Sequence, residues 1–113
     1  MTESESTQEG KPPLTGKQKK FLKGLAHDLS AIILVGKEGL SQSLIEAADT
    51  ELVRRELIKV KLGKNSGVEK DQAGVTLSEA TGSYLVQIIG KTVILYRENP
   101  LRKKEERIRL PKA

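Results

Sequence analysis

The stretch IILVGKEGLSQSLIEAA, Ile32 to Ala48, decides the architecture. An apolar run stops at Gly36, a second glycine follows at Gly39 after Lys37 and Glu38, and a helical pattern begins at once. The run Ala31–Val35 is too short for a helix and rich in β-branched residues, so it reads as a central, buried strand. Ser41 is placed to cap the helix after it, with Leu40 and Ile45 at the two positions of a hydrophobic staple. Leu40, Leu44, Ala48 and Leu52 then line one face, which is predicted to pack on a sheet.

Upstream, Phe21, Leu22, Leu25 and Leu29 recur at helical spacing, with Lys19, Lys20 and Lys23 on the opposite side and Thr15 as N-cap. This predicts an amphipathic first helix with a basic outer face. Downstream, ELIKVKLG (residues 56–63) alternates Ile58, Val60 and Leu62 with Lys59 and Lys61, a strand with one wet, positive face. In residues 64–82, Ala73, Leu77 and Ala80 suit a helix capped by Asp71 and ended by Gly82, which Gly74 weakens. YLVQIIGKTVILYR (residues 84–97) is two β-rich runs around Gly90 and Lys91, a short hairpin. The order α-β-α-β-α-β-β predicts an α/β domain, a four-stranded mixed sheet with packed helices.

A chain of 113 residues is enough for one small domain. Residues 1–13 are polar and acidic, lack large aliphatics after Met1 and end in a proline pair, so a disordered tail is expected there. Residues 98–113 form a basic C-terminal extension, expected to be separable from the domain at 14–97. No run is long enough to span a membrane, and the N-terminus lacks the apolar core of a signal peptide. A cytoplasmic monomer is the expectation.

Catalysis has little to work with. There is no cysteine, which excludes disulfides, thiolate zinc sites and cysteine nucleophiles. His27 is the single histidine, and its place near the end of the first helix is explained by a favourable interaction with the helix dipole. The sequence IGKTV at 89–93 imitates a nucleotide-binding loop, but Leu85 stands where that motif needs glycine, and the loop joins two strands. No enzyme activity, cofactor or metal is expected.

Charge points to an anionic partner. The formal net charge is +5, and residues 1–14 hold Glu3, Glu5 and Glu9 against Lys11, a net of −2, so the rest carries +7. Gly36 and Gly39 have two readings. They permit a tight turn, or they let a phosphate backbone approach the N-terminus of a helix beside the positive charge of Lys37, as GxxG loops do in KH modules. Phe21, Tyr84 and Tyr96 are the only aromatics, too few for a base-stacking platform, which favours grip on the phosphates of structured RNA. A DNA-binding module or a protein-interaction adaptor would use the same charges.

Several blocks together carry a resemblance: LTGKQKKFLKGLAHDLSAIILVGKEGLS, ELIKVKLG, TGSYLVQIIGKTVILYRENP and the closing IRLP. They resemble the YhbY-like family, the stand-alone CRM domain of RNA-binding proteins, from about Leu14 to Pro111. The resemblance implies a fold similar to the C-terminal domain of bacterial translation initiation factor three. It implies RNA binding through a KH-like GxxG loop, here Gly36, Lys37, Glu38 and Gly39, with Glu38 expected to point away from the RNA. It also implies association with precursors of the large ribosomal subunit, while relatives in plant organelles act in intron splicing. Lys17, Lys20, Lys59, Lys61 and Arg97 are the secondary contact candidates on this reading.

Overall fold

The computed structural model describes residues 12–112, so residues 1–11 of the expected acidic tail lie outside the described residues. Three helices and four strands follow in the predicted order: α1 (Gly16–His27), β1 (Ile33–Val35), α2 (Gln42–Arg55), β2 (Leu57–Leu62), α3 (Lys70–Thr81), β3 (Tyr84–Ile89) and β4 (Thr92–Tyr96). A 3-10 turn, Lys104–Glu106, lies in the C-terminal segment. The sheet order is β1-β2-β4-β3, with β1 parallel to β2 and both other pairs antiparallel.

Local chemistry accounts for the helix ends. Thr15 and Gln18 make a reciprocal capping box on α1. The Ser41 side chain accepts from the Leu44 N–H to start α2. For α3 the N-cap is Glu69 and not Asp71, which sits in the first turn; the Glu69 carboxylate accepts from the Gln72 N–H at 3.0 Å. Carboxylates in both places suit the positive end of the helix. Those backbone hydrogen bonds also hold the Glu69 carboxyl below its ordinary range. Gly82, in the left-handed conformation, ends the helix as expected.

The sheet is covered on both faces. Against one face lie α2 and α3, where Ala48, Leu52, Ala73 and Leu77 meet Val35, Ile58, Val60, Val93 and Leu95. Gly74 has a packing role here, because a Cβ at this position would stand 3.0 Å from Leu85 Cδ2 and 3.2 Å from Ile88 Cδ1. The residue that weakens α3 locally is what lets the helix press on β3. On the other face, α1 buries Leu22 and Ala26 on Leu57, Val86, Ile94 and Tyr96, joined by Ile108 and Leu110 of the C-terminal segment. Each fully buried leucine contributes about 1.5–3 kcal/mol.

Three sequence expectations change at this level. β1 is an edge strand of three residues, not a central one, and its Leu34 is 64% exposed. The buried face of α1 is Leu22 and Ala26, while Phe21, Leu25 and Leu29 are each more than a third exposed. Periodicity marked the right helix but could not say how far the sheet extends beneath it. The positive face of β2 is also only partly wet, since Leu57 is buried there beneath α1 and Lys59 is half-buried.

The C-terminal segment lies against the domain instead of projecting from it. One residue, Glu56, reverses the chain between α2 and β2 with φ +67° and is fully buried. Its carboxylate accepts from the Asn99 N–H at 2.8 Å and the Ile108 N–H at 2.7 Å, and pairs with Arg102 at 3.3 Å. Gln18 of α1 donates to the Pro111 carbonyl, and the Tyr84 hydroxyl donates to that of Pro12.

Glu56→Ala removes the acceptor from two partly buried N–H groups and one arginine and empties a fully buried site, so stability should fall by about 3–5 kcal/mol; chemical denaturation measures this. Burial, with the Glu56 and Glu98 charges adding to it, pushes the Tyr96 hydroxyl up to about 12 from 10. A folded-state value above the unfolded one stabilises fully below pH 10, and that contribution disappears as pH rises towards 12. The Tyr96→Phe protein should therefore lose less stability than wild type between pH 10 and 12 in matched denaturation curves.

Candidate nucleic-acid interface

Because β1 and β2 are parallel, their C-terminal ends share one end of the sheet, and the β3–β4 turn arrives there too, as the pairing of Lys61 with Thr92 shows. Open α/β sheets characteristically bind ligands at this end. The loop Gly36–Gly39 occupies it. The Gly39 N–H donates to the Gly36 carbonyl at 2.9 Å and the Ser41 N–H to that of Gly39 at 3.0 Å, so the turn runs directly into α2. A shallow concavity of about 390 Å³ is lined by Gly36, Lys37, Glu38, Gly39, Ser41 and Ser43, with Leu44 and Ala47 behind.

The two glycines differ in what the fold asks of them. Gly39 has φ +67°, and a Cβ there would meet Val68 Cγ2 at 3.4 Å and the Ser66 carbonyl at 3.7 Å. Glycine is needed at 39 for the turn itself. At Gly36 φ lies outside that left-handed range, and a Cβ would have nothing within 4 Å. Neither backbone conformation nor packing calls for glycine at 36. A side-chain-free backbone facing open space, next to Lys37, suits close approach by a ligand.

Neighbouring segments hold the loop in place. The Gly63 N–H donates to the Val35 carbonyl at 2.9 Å, and a Cβ on Gly63 would lie 2.8 Å from that oxygen. The Leu62 N–H donates to the Lys91 carbonyl at 2.7 Å, tying the β3–β4 turn to the same strand end. The Gly36–Gly39 loop, the β2–α3 loop and the hairpin turn thus form one hydrogen-bonded rim.

The nine residues singled out from the sequence divide into three groups. Gly36, Lys37, Glu38 and Gly39 lie together on the concavity, and Lys61 is exposed on β2 near the same end. Glu38 lines the concavity with Lys37, so a phosphate there comes near both charges. Lys17 and Lys20 are exposed on α1, across the sheet from α2. Two are engaged within the fold. Lys59 Nζ donates to the Leu29 carbonyl at 2.8 Å, pinning the α1–β1 connection. Arg97 holds the Asp49 carboxylate and the Thr81 carbonyl, each at 2.6 Å, fastening β4 to α2 and α3.

A cavity of about 550 Å³ lies elsewhere, lined by Leu25, Leu29, Ile32 and Leu57 with Arg54, Arg55 and Arg102 at its margin. Those arginines are paired, two with Glu51 and one with Glu56, so this mainly apolar space displays no uncommitted arginine. Tyr84 and Tyr96 stack on each other at 6.3 Å beside α1 and the C-terminal segment, away from the loop end. Sequence reasoning missed Lys64 and Lys70 and set Lys91 aside as a turn residue, yet all three reach the loop end. The signal was available only as topology: the C-terminal ends of parallel strands gather.

Comparison with known proteins shows which family the chain resembles. The sequence model of the CRS1 / YhbY (CRM) domain matches residues 14–97. The Bacillus subtilis protein named "Probable RNA-binding protein YqeI" is 42% identical over 98 residues, spanning 87% of this chain and 99% of that one. A Haemophilus influenzae protein named "RNA-binding protein" is 35% identical over 99 residues, covering 88% and 96%. The solution structure of the Staphylococcus aureus protein SAV1595, described as a candidate RNA binder, superposes with a TM-score of 0.72 at 44% identity, covering 88% of this chain and all of that one.

The unequal demands on the two glycines predict unequal stability effects. Gly39→Ala should lose about 1–2 kcal/mol through its left-handed backbone. Gly36→Ala should stay within about 0.5 kcal/mol of wild type. Thermal and chemical unfolding of the two variants measures the difference.

Proposed function

Because the chain belongs to the CRS1 / YhbY (CRM) domain family, we propose that it is a non-enzymatic RNA-binding protein that grips the phosphate backbone of structured ribosomal RNA and assists assembly of the large ribosomal subunit. Gly36 is the observation that carries the backbone grip. The fold has no use for its missing side chain, whereas an approaching phosphate does. Lys37 adds an exposed positive charge beside it, and Lys61 adds another on the adjoining strand. The tyrosines are engaged with each other, which favours recognition by charge and shape over base stacking. The large-subunit assignment rests on the family resemblance of the ordered sequence blocks, and the relatives' names support RNA as the partner.

Lys17 and Lys20 are assigned the role of outer contacts that widen the positive surface from α1. Lys59 and Arg97 act on the interface through the fold, by holding the α1–β1 connection and the end of β4.

Binding of a ribosomal RNA transcript at several salt concentrations tests the reading. Four to six phosphate contacts should give a slope of log K against log salt of roughly −3 to −5, at about 0.7 per single-strand and 0.9 per duplex contact. Gly36→Asp combined with Gly39→Asp should abolish most binding in a protein that circular dichroism shows to be folded, and Lys37→Ala should be intermediate. Glu38→Gln should bind more tightly, because it removes a negative charge from the lining of the concavity. A flat salt response, or wild-type affinity in the double variant, would overturn the proposal. Equal affinity for duplex DNA at matched salt would overturn the preference for RNA.

A further inference from the structure

From the rim at the loop end of the sheet we infer a second phosphate-binding site, formed by Lys64, Lys70 and Lys91, that continues the Gly36–Gly39 concavity and takes another stretch of the same RNA backbone. The inference rests on the RNA-binding reading and extends it to residues that neither the motif nor the periodicity singles out. Lys64 and Lys70 come from the two ends of the β2–α3 loop, and Lys91 comes from the β3–β4 turn. Between them lies a cavity of about 580 Å³, with Ser66, Gly67 and Gly90 also in its wall.

Three observations favour phosphate as the occupant. The ammonium groups are available: all three lysines are exposed, and none makes an ion pair with the described residues. The carboxylate in the cavity wall is already committed. Glu69 accepts the Gln72 N–H as the cap of α3, and its charge is offset by the positive helix end and by neighbouring Lys70. The wall is also open to close approach. Gly67 and Gly90 both have positive φ, and neither has an atom within 4 Å of where a Cβ would be.

The loop that presents these charges is ordered by its own hydrogen bonds. The Ser66 N–H donates to the Gly63 carbonyl at 3.1 Å, and the Val68 N–H donates to the Ser66 hydroxyl at 3.3 Å. Ser66 and Val68 are also the residues that face Gly39, so one wall separates the two concavities. A polyanion lying across Gly36–Gly39 can continue over this wall to the second cluster. A free nucleotide is a poorer fit, because the cavity wall carries no aromatic side chain against which a base could stack. A continuous sugar–phosphate backbone uses both clusters at once.

The test is a triple variant, Lys64→Ala, Lys70→Ala and Lys91→Ala, assayed in the full chain against the same ribosomal RNA transcript. Loss of three phosphate contacts should reduce the magnitude of the salt slope by about 2–3 and weaken binding roughly tenfold or more at moderate salt. The matching Lys→Arg triple variant should keep wild-type slope and affinity. Unchanged slope and affinity in the alanine variant, while Gly36→Asp with Gly39→Asp abolishes binding, would overturn this second site and leave the RNA-binding reading standing. An arginine variant as weak as the alanine one would also overturn it, since charge would not be the cause. If the wild-type protein shows no salt-dependent RNA binding, the RNA-binding reading fails, and this site fails with it.

Discussion

The buried Glu56 carboxylate is the interaction on which the arrangement of layers depends. Helix α2 ends at Arg55 and β2 begins at Leu57, so a single residue reverses the chain, in a backbone conformation that non-glycine residues rarely adopt. Strain of about 1–3 kcal/mol is tolerated there because the surroundings over-determine it. The carboxylate gathers two backbone N–H groups and Arg102 from a C-terminal segment that has little regular structure of its own. The segment then supplies Ile108 and Leu110 to the apolar cluster beneath α1. A charge this deeply buried is stable only when fully paired, which couples the α2–β2 junction to the C-terminal segment from Asn99 onward.

The opposite end of the sheet is organised by backbone and not by charge. Val35, Gly63, Leu62 and Lys91 exchange main-chain hydrogen bonds where three loops meet. Gly63 has no room for a side chain, so the two parallel strands end in contact. Lysines emerging from such a rim keep defined starting positions even though their side chains are mobile. That combination of a fixed backbone with adaptable charges suits a partner whose phosphates repeat but whose sequence need not be read.

Arginines and lysines differ in their pairing among the described residues, with Arg109 the one arginine that makes no ion pair. Arg54, Arg55, Arg97, Arg102 and Arg107 all make ion pairs within the fold. Lys37, Lys64 and Lys91 make none among the described residues. The division follows the chemistry of the groups. A planar guanidinium holds a carboxylate or several carbonyls in fixed directions, while a flexible ammonium is better displayed to a mobile polyanion. The paired arginines and their acidic partners nearly cancel, so the positive charge offered to RNA comes mainly from the lysines.

Elements and most of their caps were legible in the sequence because they depend on neighbours three or four residues apart, although Glu69 and not Asp71 caps α3. Thr15 with Gln18, Ser41 with Leu44, and Gly82 after α3 all act within one helical turn. The alternation in β2 and the turn at Gly90 are equally local, and the family blocks made the glycine loop recognisable. What tertiary structure decided was everything set by sheet order. β1 looked central because its residues are apolar, yet it is an edge, and only the pairing with β2 shows this. Lys59 and Arg97 looked like surface charges until Leu29 and Asp49, thirty and forty-eight positions away, were brought to them. Lys64, Lys70 and Lys91 looked unrelated because nothing local links them. They share one rim because parallel strands end together, and that proximity exists only once the chain has folded.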